Sequence, residues 1–153
     1  MNLKTRQRLA LAVIAIATAA STAFYFDYKK NMSLAQQMVY LETGSIHSAQ
    51  SFEVQLMEGA IHTGALFCHC TAYEYANLAS KTQLALQKDN INTSLSQLLT
   101  VAPISEPVLG NTADLNACKG VFATYVLTRK QYTHAQAYAD LSAMYLAISK
   151  TRK

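Results

Sequence analysis

The sequence predicts an all-α fold, with an apolar N-terminal helix followed by a small bundle of about four to five helices. Three observations carry that prediction. Leu9–Phe26 (LALAVIAIATAASTAFYF) holds no charge, Pro or Gly. After it, apolar residues recur at i, i+3, i+4 and i+7 in segment after segment, the period of an amphipathic helix. The chain's 2 prolines, Pro103 and Pro107, fall in one short stretch, so long helices on either side meet no breaker of that kind.

Residues 1–8 form a basic n-region with Lys4, Arg6 and Arg8, and no acidic residue precedes Asp27. A basic cluster before an apolar run is the shape of an export signal. Two readings follow. In one, the apolar core ends near Ala17, and a peptidase cuts at Ala17-Thr18-Ala19 or Ser21-Thr22-Ala23, so the remainder is secreted. In the other, residues 9–26 are a transmembrane anchor: at 1.5 Å per residue they span roughly 27 Å, close to the hydrocarbon thickness. Phe24, Tyr25, Phe26 and Tyr28 would then lie at the far interface, where aromatic rings are favoured. Both readings keep the N-terminus cytoplasmic and place residues 27–153 outside the cytoplasm, the periplasm in a bacterium. The expected architecture is thus a single-pass membrane protein or a secreted one. No Cys follows the small residues, so a lipoprotein anchor is not expected.

Asn31–Thr43 places Leu34, Met38 and Leu41 on one helical face, with Gly44 as a C-terminal cap. The segment 52–67 supports two periods. Phe52, Val54 and Leu56 alternate as in a strand, whereas Phe52, Leu56, Gly59/Ala60, Thr63 and Phe67 keep helical spacing. The neighbouring Ala, Gln, Glu and Met favour a helix from about Ile46 to Phe67, with a break near Gly64. A second helix covers Thr71–Lys88, its inner face drawn from Leu78, Thr82 and Ala85 and its outer face from Ser80, Gln83 and Gln87. Asp89-Asn90 turns the chain, and Asn92 or Thr93 caps a short helix bearing Leu95, Leu98 and Leu99. Val101–Gly110 reads as a loop. Asn111 or Thr112 then caps Ala113–Thr128, with Leu115, Cys118, Phe122 and Tyr125 on one face. Gln131–Lys150 carries the stripe His134, Tyr138, Leu141, Tyr145 and Ile148, widened by Met144. An echo links Tyr75-Ala76-Asn77-Leu78-Ala79 to Tyr138-Ala139-Asp140-Leu141-Ser142.

Of the 13 Lys and Arg residues, three lie in the leader, while all 9 acidic residues lie after it, so the formal +4 belongs mainly to the leader. No basic patch with interleaved aromatics remains to suggest nucleic acid. Cys68-His69-Cys70, with His62 nearby, is the candidate metal cluster. On a helix, however, residues two apart point to nearly opposite sides, and His62 and His69 sit about 10 Å apart along the axis. No cofactor motif of the Gly-rich, HExxH, GxSxG or CxxCH kind occurs. Outside the cytoplasm the 3 cysteines predict one disulfide, Cys118 with Cys70 or Cys68, and one free thiol.

These observations favour a non-enzymatic accessory or regulatory binding subunit of an envelope complex. Its contacts would be the membrane through residues 9–26 and a protein partner. The second reading is a small-molecule or metal-binding sensor module, and the third a thiol enzyme using Cys68 or Cys70. Ala135, Ala139, Ala143 and Ala147 form a smooth flank on the last helix. That flank either packs within the chain or docks a partner at Ala139 and Ala143. If it packs inside, Ser45–Gly64 is the next surface to consider.

Overall fold

The computed structural model describes residues 31–151, and the expectations for residues 1–30 lie outside it. The chain divides before Leu34, and the elements that follow belong to the unit that begins there. Its elements are α1 (Leu34–Thr43), α2 (Phe52–Phe67), α3 (Ala72–Lys88), α4 (Leu95–Leu99), α5 (Glu106–Leu109), α6 (Leu115–Arg129) and α7 (His134–Thr151), with 3₁₀ turns at Ala102–Ser105 and Gly110–Thr112. No strand occurs among the described residues, so the helical reading of 52–67 is the correct one. Among them, too, no helix is long and apolar enough to cross a membrane.

Side-chain caps set most of the boundaries. Ser51 accepts from the Val54 amide and starts α2 six residues later than the periodicity suggested. Thr71 and Glu74 form a capping box at the start of α3, as do Ser94 and Gln97 at α4. Ser94 thereby takes the role expected of Asn92 or Thr93. Asp114, not Asn111 or Thr112, caps α6 by accepting from the Ala117 amide at 2.7 Å. Thr133 and Gln136 exchange backbone bonds in the same way and move the start of α7 to His134. Each box satisfies amides that the first helical turn leaves without partners. The stretch expected as a loop, Val101–Gly110, is instead wound into short helical turns. Its prolines sit in first-turn positions, where a missing N–H costs nothing.

The core gathers around α3, which packs against α2, α4 and α6; α7 covers α6 and the crossover of short turns. Tyr75 of α3 is fully buried at its centre. Its hydroxyl donates to the Leu99 carbonyl at 2.7 Å, and its ring meets Phe122 edge-on at 6.0 Å. Gly64 does not break α2. It gives the Tyr75 ring its room, because a Cβ built there would overlap that ring.

The helices follow the expected period, but several turn a different face inward than the spacing suggests. In α2 the buried face is Val54, Met57, Ile61, Gly64 and Ala65, while Phe52 and Leu56 are 70% and 57% exposed. This helix carries apolar residues on two faces, so spacing alone does not say which one turns inward. In α3 the buried set is Tyr75, Ala76, Ala79, Thr82 and Leu86; Leu78 is half-buried and Ala85 exposed. In α1 Ala35, Gln36, Met38 and Val39 are buried and Leu41 is exposed. The echo between α3 and α7 does not carry over into packing, since Tyr75 is buried and Tyr138 exposed.

Candidate functional site

Cys68-His69-Cys70 is the end of α2. Cys68 is its C-cap, and His69 adopts φ 46°, the left-handed region. The His69 amide donates to the Leu66 carbonyl at 3.3 Å and the Cys70 amide to Ala65 at 3.0 Å. These two bonds make a Schellman motif, with histidine where glycine is usual. The end of α3 repeats it: Asn90 has φ 58°, its amide donates to Gln87, and that of Ile91 donates to Leu86. The tripeptide is therefore not the continuous helix that its ligand geometry was argued on, but a helix end with a left-handed residue at its centre.

Cys68 forms a disulfide with Cys118 of α6, with the Cα atoms 6.0 Å apart, and Cys70 is the free thiol. Burial, with the Glu74 carboxylate adding to it, pushes the Cys70 thiol up from its ordinary pKa. Neither sulfur is poised as a thiolate nucleophile. His62 and His69 are exposed. Among the described residues, no three His, Cys, Asp or Glu side chains gather as a metal site, so the candidate set His62, Cys68, His69 and Cys70 is not brought together.

A polar cluster ties the turn between α6 and α7 to the loop before α4. Arg129 donates through Nη2 to the Asn92 carbonyl and the Thr93 hydroxyl, both at 3.1 Å, and through Nη1 to the Tyr132 carbonyl. Lys130 pairs with Asp89 at 3.0 Å. The buried Tyr125 hydroxyl lies 2.7 Å from His134 Nδ1. Burial raises the Tyr125 pKa, while the nearby Arg129 guanidinium and Thr93 work against it. The His134 pKa is lowered, first by burial and then by the Arg129 charge. His134 is thus more than the helix-end residue that its place in the sequence suggests, because its partner Tyr125 sits nine positions away on another helix.

The third feature is a groove between α1 and α2, to whose lining Ser96 of α4 also contributes. It has a volume of about 470 Å³ and is lined by Val39, Met57, Leu56 and Ala60, with Glu42 and Glu53 at its rim. Glu42 accepts from the Ser96 hydroxyl at 2.9 Å. Glu53 lies 3.6 Å from His47, and its carboxyl is held below the usual range chiefly by a backbone hydrogen bond at the start of α2. Leu56 lines this groove, and the exposed Phe52 lies one helical turn before it on α2. The sequence displayed the stripe, but nothing in it showed that α1 would leave that face open.

On α7 Leu141 is buried, His134, Tyr145 and Ile148 are half-buried, and Tyr138 is exposed. Ala135, Ala139, Ala143 and Ala147 are all exposed, so the flank does not pack against another helix of the described unit. No protein-family model, no curated protein and no solved structure matches this chain. What can be argued about function therefore rests on the geometry above.

Proposed function

We propose that this chain is a binding subunit held at, or released from, the outer side of a membrane by its leader, where it engages another protein. The observation that carries the reading is the open groove between α1 and α2, with Leu56 more than half exposed on its wall. An isolated exposed apolar residue is ordinary on any surface; an apolar concavity beside an exposed stripe is the form binding sites take. Two features support the location. A disulfide persists in oxidising compartments, and the Lys4, Arg6 and Arg8 cluster before Leu9–Phe26 favours a cytoplasmic N-terminus. The groove's volume also falls in the range of small-ligand pockets, which keeps a ligand-binding module as the second reading.

The test has two parts. Protease added to the extracytoplasmic face of intact spheroplasts should digest the domain, and protection until lysis would overturn the location. A photoreactive amino acid at Leu56 of the full chain should give a discrete protein adduct in living cells. A small-molecule adduct at that position would favour the second reading, and no adduct at all would overturn the use of this groove.

A further inference from the structure

We infer that the groove between α1 and α2 takes a cationic amphipathic helix of a partner protein. The inference rests on the binding reading above and adds the chemistry of the occupant. The floor, Val39 and Met57, is buried and apolar, and the wall at Leu56 and Ala60 continues it outward. Among the described residues that line the groove there is no Lys, Arg or His, whereas Glu42 and Glu53 are both part of that lining. Glu53 is the more exposed of the two; a backbone hydrogen bond at the start of α2 holds its carboxyl below the usual range, and His47 lies 3.6 Å from it on the same rim. A bound segment must therefore offer an apolar face between positive charges. Helices that dock in grooves do so through anchors at i, i+3, i+4 and i+7, and Lys or Arg beside such anchors would meet the rim.

The same rim argues against the other occupants. Anionic lipid headgroups and fatty-acid carboxylates would face like charge. A second copy docking the same face would bring Glu42 and Glu53 against themselves, since a two-fold contact is self-complementary. The groove's apolar edge continues along α2 through Phe52, and Gly59 adds no side chain in the open space around it.

The experiment is crosslinking in cells from the full chain with the photoreactive residue at Leu56, followed by sequencing of the crosslinked peptide. The expected peptide is from another protein, has helical apolar spacing, and carries Lys or Arg within a turn of the contact. Glu53→Lys should lower adduct yield at least about fivefold, since it replaces attraction by repulsion. Glu58→Lys makes the same charge change on α2 away from the groove and should leave the yield unchanged. Thermal melts of both variants establish that each is folded, and Glu53→Gln, a milder change, should fall between wild type and Glu53→Lys. A peptide that is neutral or acidic, or equal yields from Glu53→Lys and wild type, overturns the charge argument and leaves the binding reading standing. A peptide from this chain itself, a lipid adduct, or no adduct overturns both.

Discussion

Replacing Gly64 by Ala tests the centre of the fold. Gly64 lies inside α2, where glycine is the weaker helix former by about 1 kcal/mol, so propensity alone predicts stabilisation. Packing predicts the reverse. The added methyl would occupy the space of the Tyr75 ring, which is fully buried and fixed by its bond to Leu99 and its edge contact with Phe122. Forcing one carbon into a filled core costs about 1–3 kcal/mol. If the ring shifts enough to lose its hydrogen bond, a buried hydroxyl and carbonyl go unsatisfied for about 1–3 kcal/mol more. Less the propensity gain, the net loss is roughly 0–2 kcal/mol if the hydrogen bond survives and roughly 1–5 kcal/mol if it is lost. The loss should be read by chemical denaturation of the oxidised domain, with an unchanged m-value showing that the denatured state is not responsible. In a Tyr75→Leu background, where the ring is gone, Gly64→Ala should become neutral or stabilising. A midpoint raised by Gly64→Ala in the wild-type background would refute the claim that this glycine exists to admit the tyrosine.

Non-reducing peptide mapping should find Cys68 joined to Cys118 and Cys70 alkylatable. Opening that loop, whose cysteines are 50 residues apart, should cost about 4 kcal/mol in the chain-entropy picture, and three free thiols in protein purified without reductant would contradict it. His69→Gly should stabilise the domain by about 1–2 kcal/mol, because it relieves a side chain in the left-handed region; destabilisation would mean that the imidazole makes a contact that matters. His134 has a folded pKa below its unfolded one, so the unfolded chain binds the proton more readily. Stability should be full above about pH 6.5 and decline as pH falls from there through the lower folded pKa, and His134→Gln should flatten that part of the profile. Leu141→Ala should destabilise by about 2–5 kcal/mol, whereas Ala139→Glu and Ala143→Glu should leave thermal melts nearly unchanged, since both positions face solvent.

Helical class was legible in the sequence because amphipathic spacing and scarce proline are local properties. The face of α6 was legible for the same reason: of the stripe Leu115, Cys118, Phe122 and Tyr125, the last three are buried and Leu115 is half-buried. In α2 two stripes compete, and only the third dimension decides that Val54, Met57 and Ile61 turn inward while Phe52 and Leu56 remain outside. Gly64 reads as a helix breaker until Tyr75, eleven residues away on the next helix, is seen to need its missing Cβ. The Cys-His-Cys tripeptide drew metal chemistry from its composition, yet its geometry is that of a helix end, and the left-handed turn at His69 carries no signal as strong as a glycine would. The groove is a relation between α1, α2 and α4, so no single segment announces it.

The bond from Cys68 to Cys118 also decides how tension would pass through the domain. It joins the end of α2 to α6, so α3, α4 and the crossover lie within the closed loop, while α1 and α7 lie outside it. A pull applied between the first and last helices runs along α1 and α2, crosses the sulfur bridge and leaves through α6 and α7. The segment holding Tyr75 is never in the line of force. Fully stretched, the oxidised domain is shorter than the reduced one by the contour of the bypassed loop, on the order of 170 Å. Extension in an optical trap, before and after a reductant is added, would register that difference as the late release of slack.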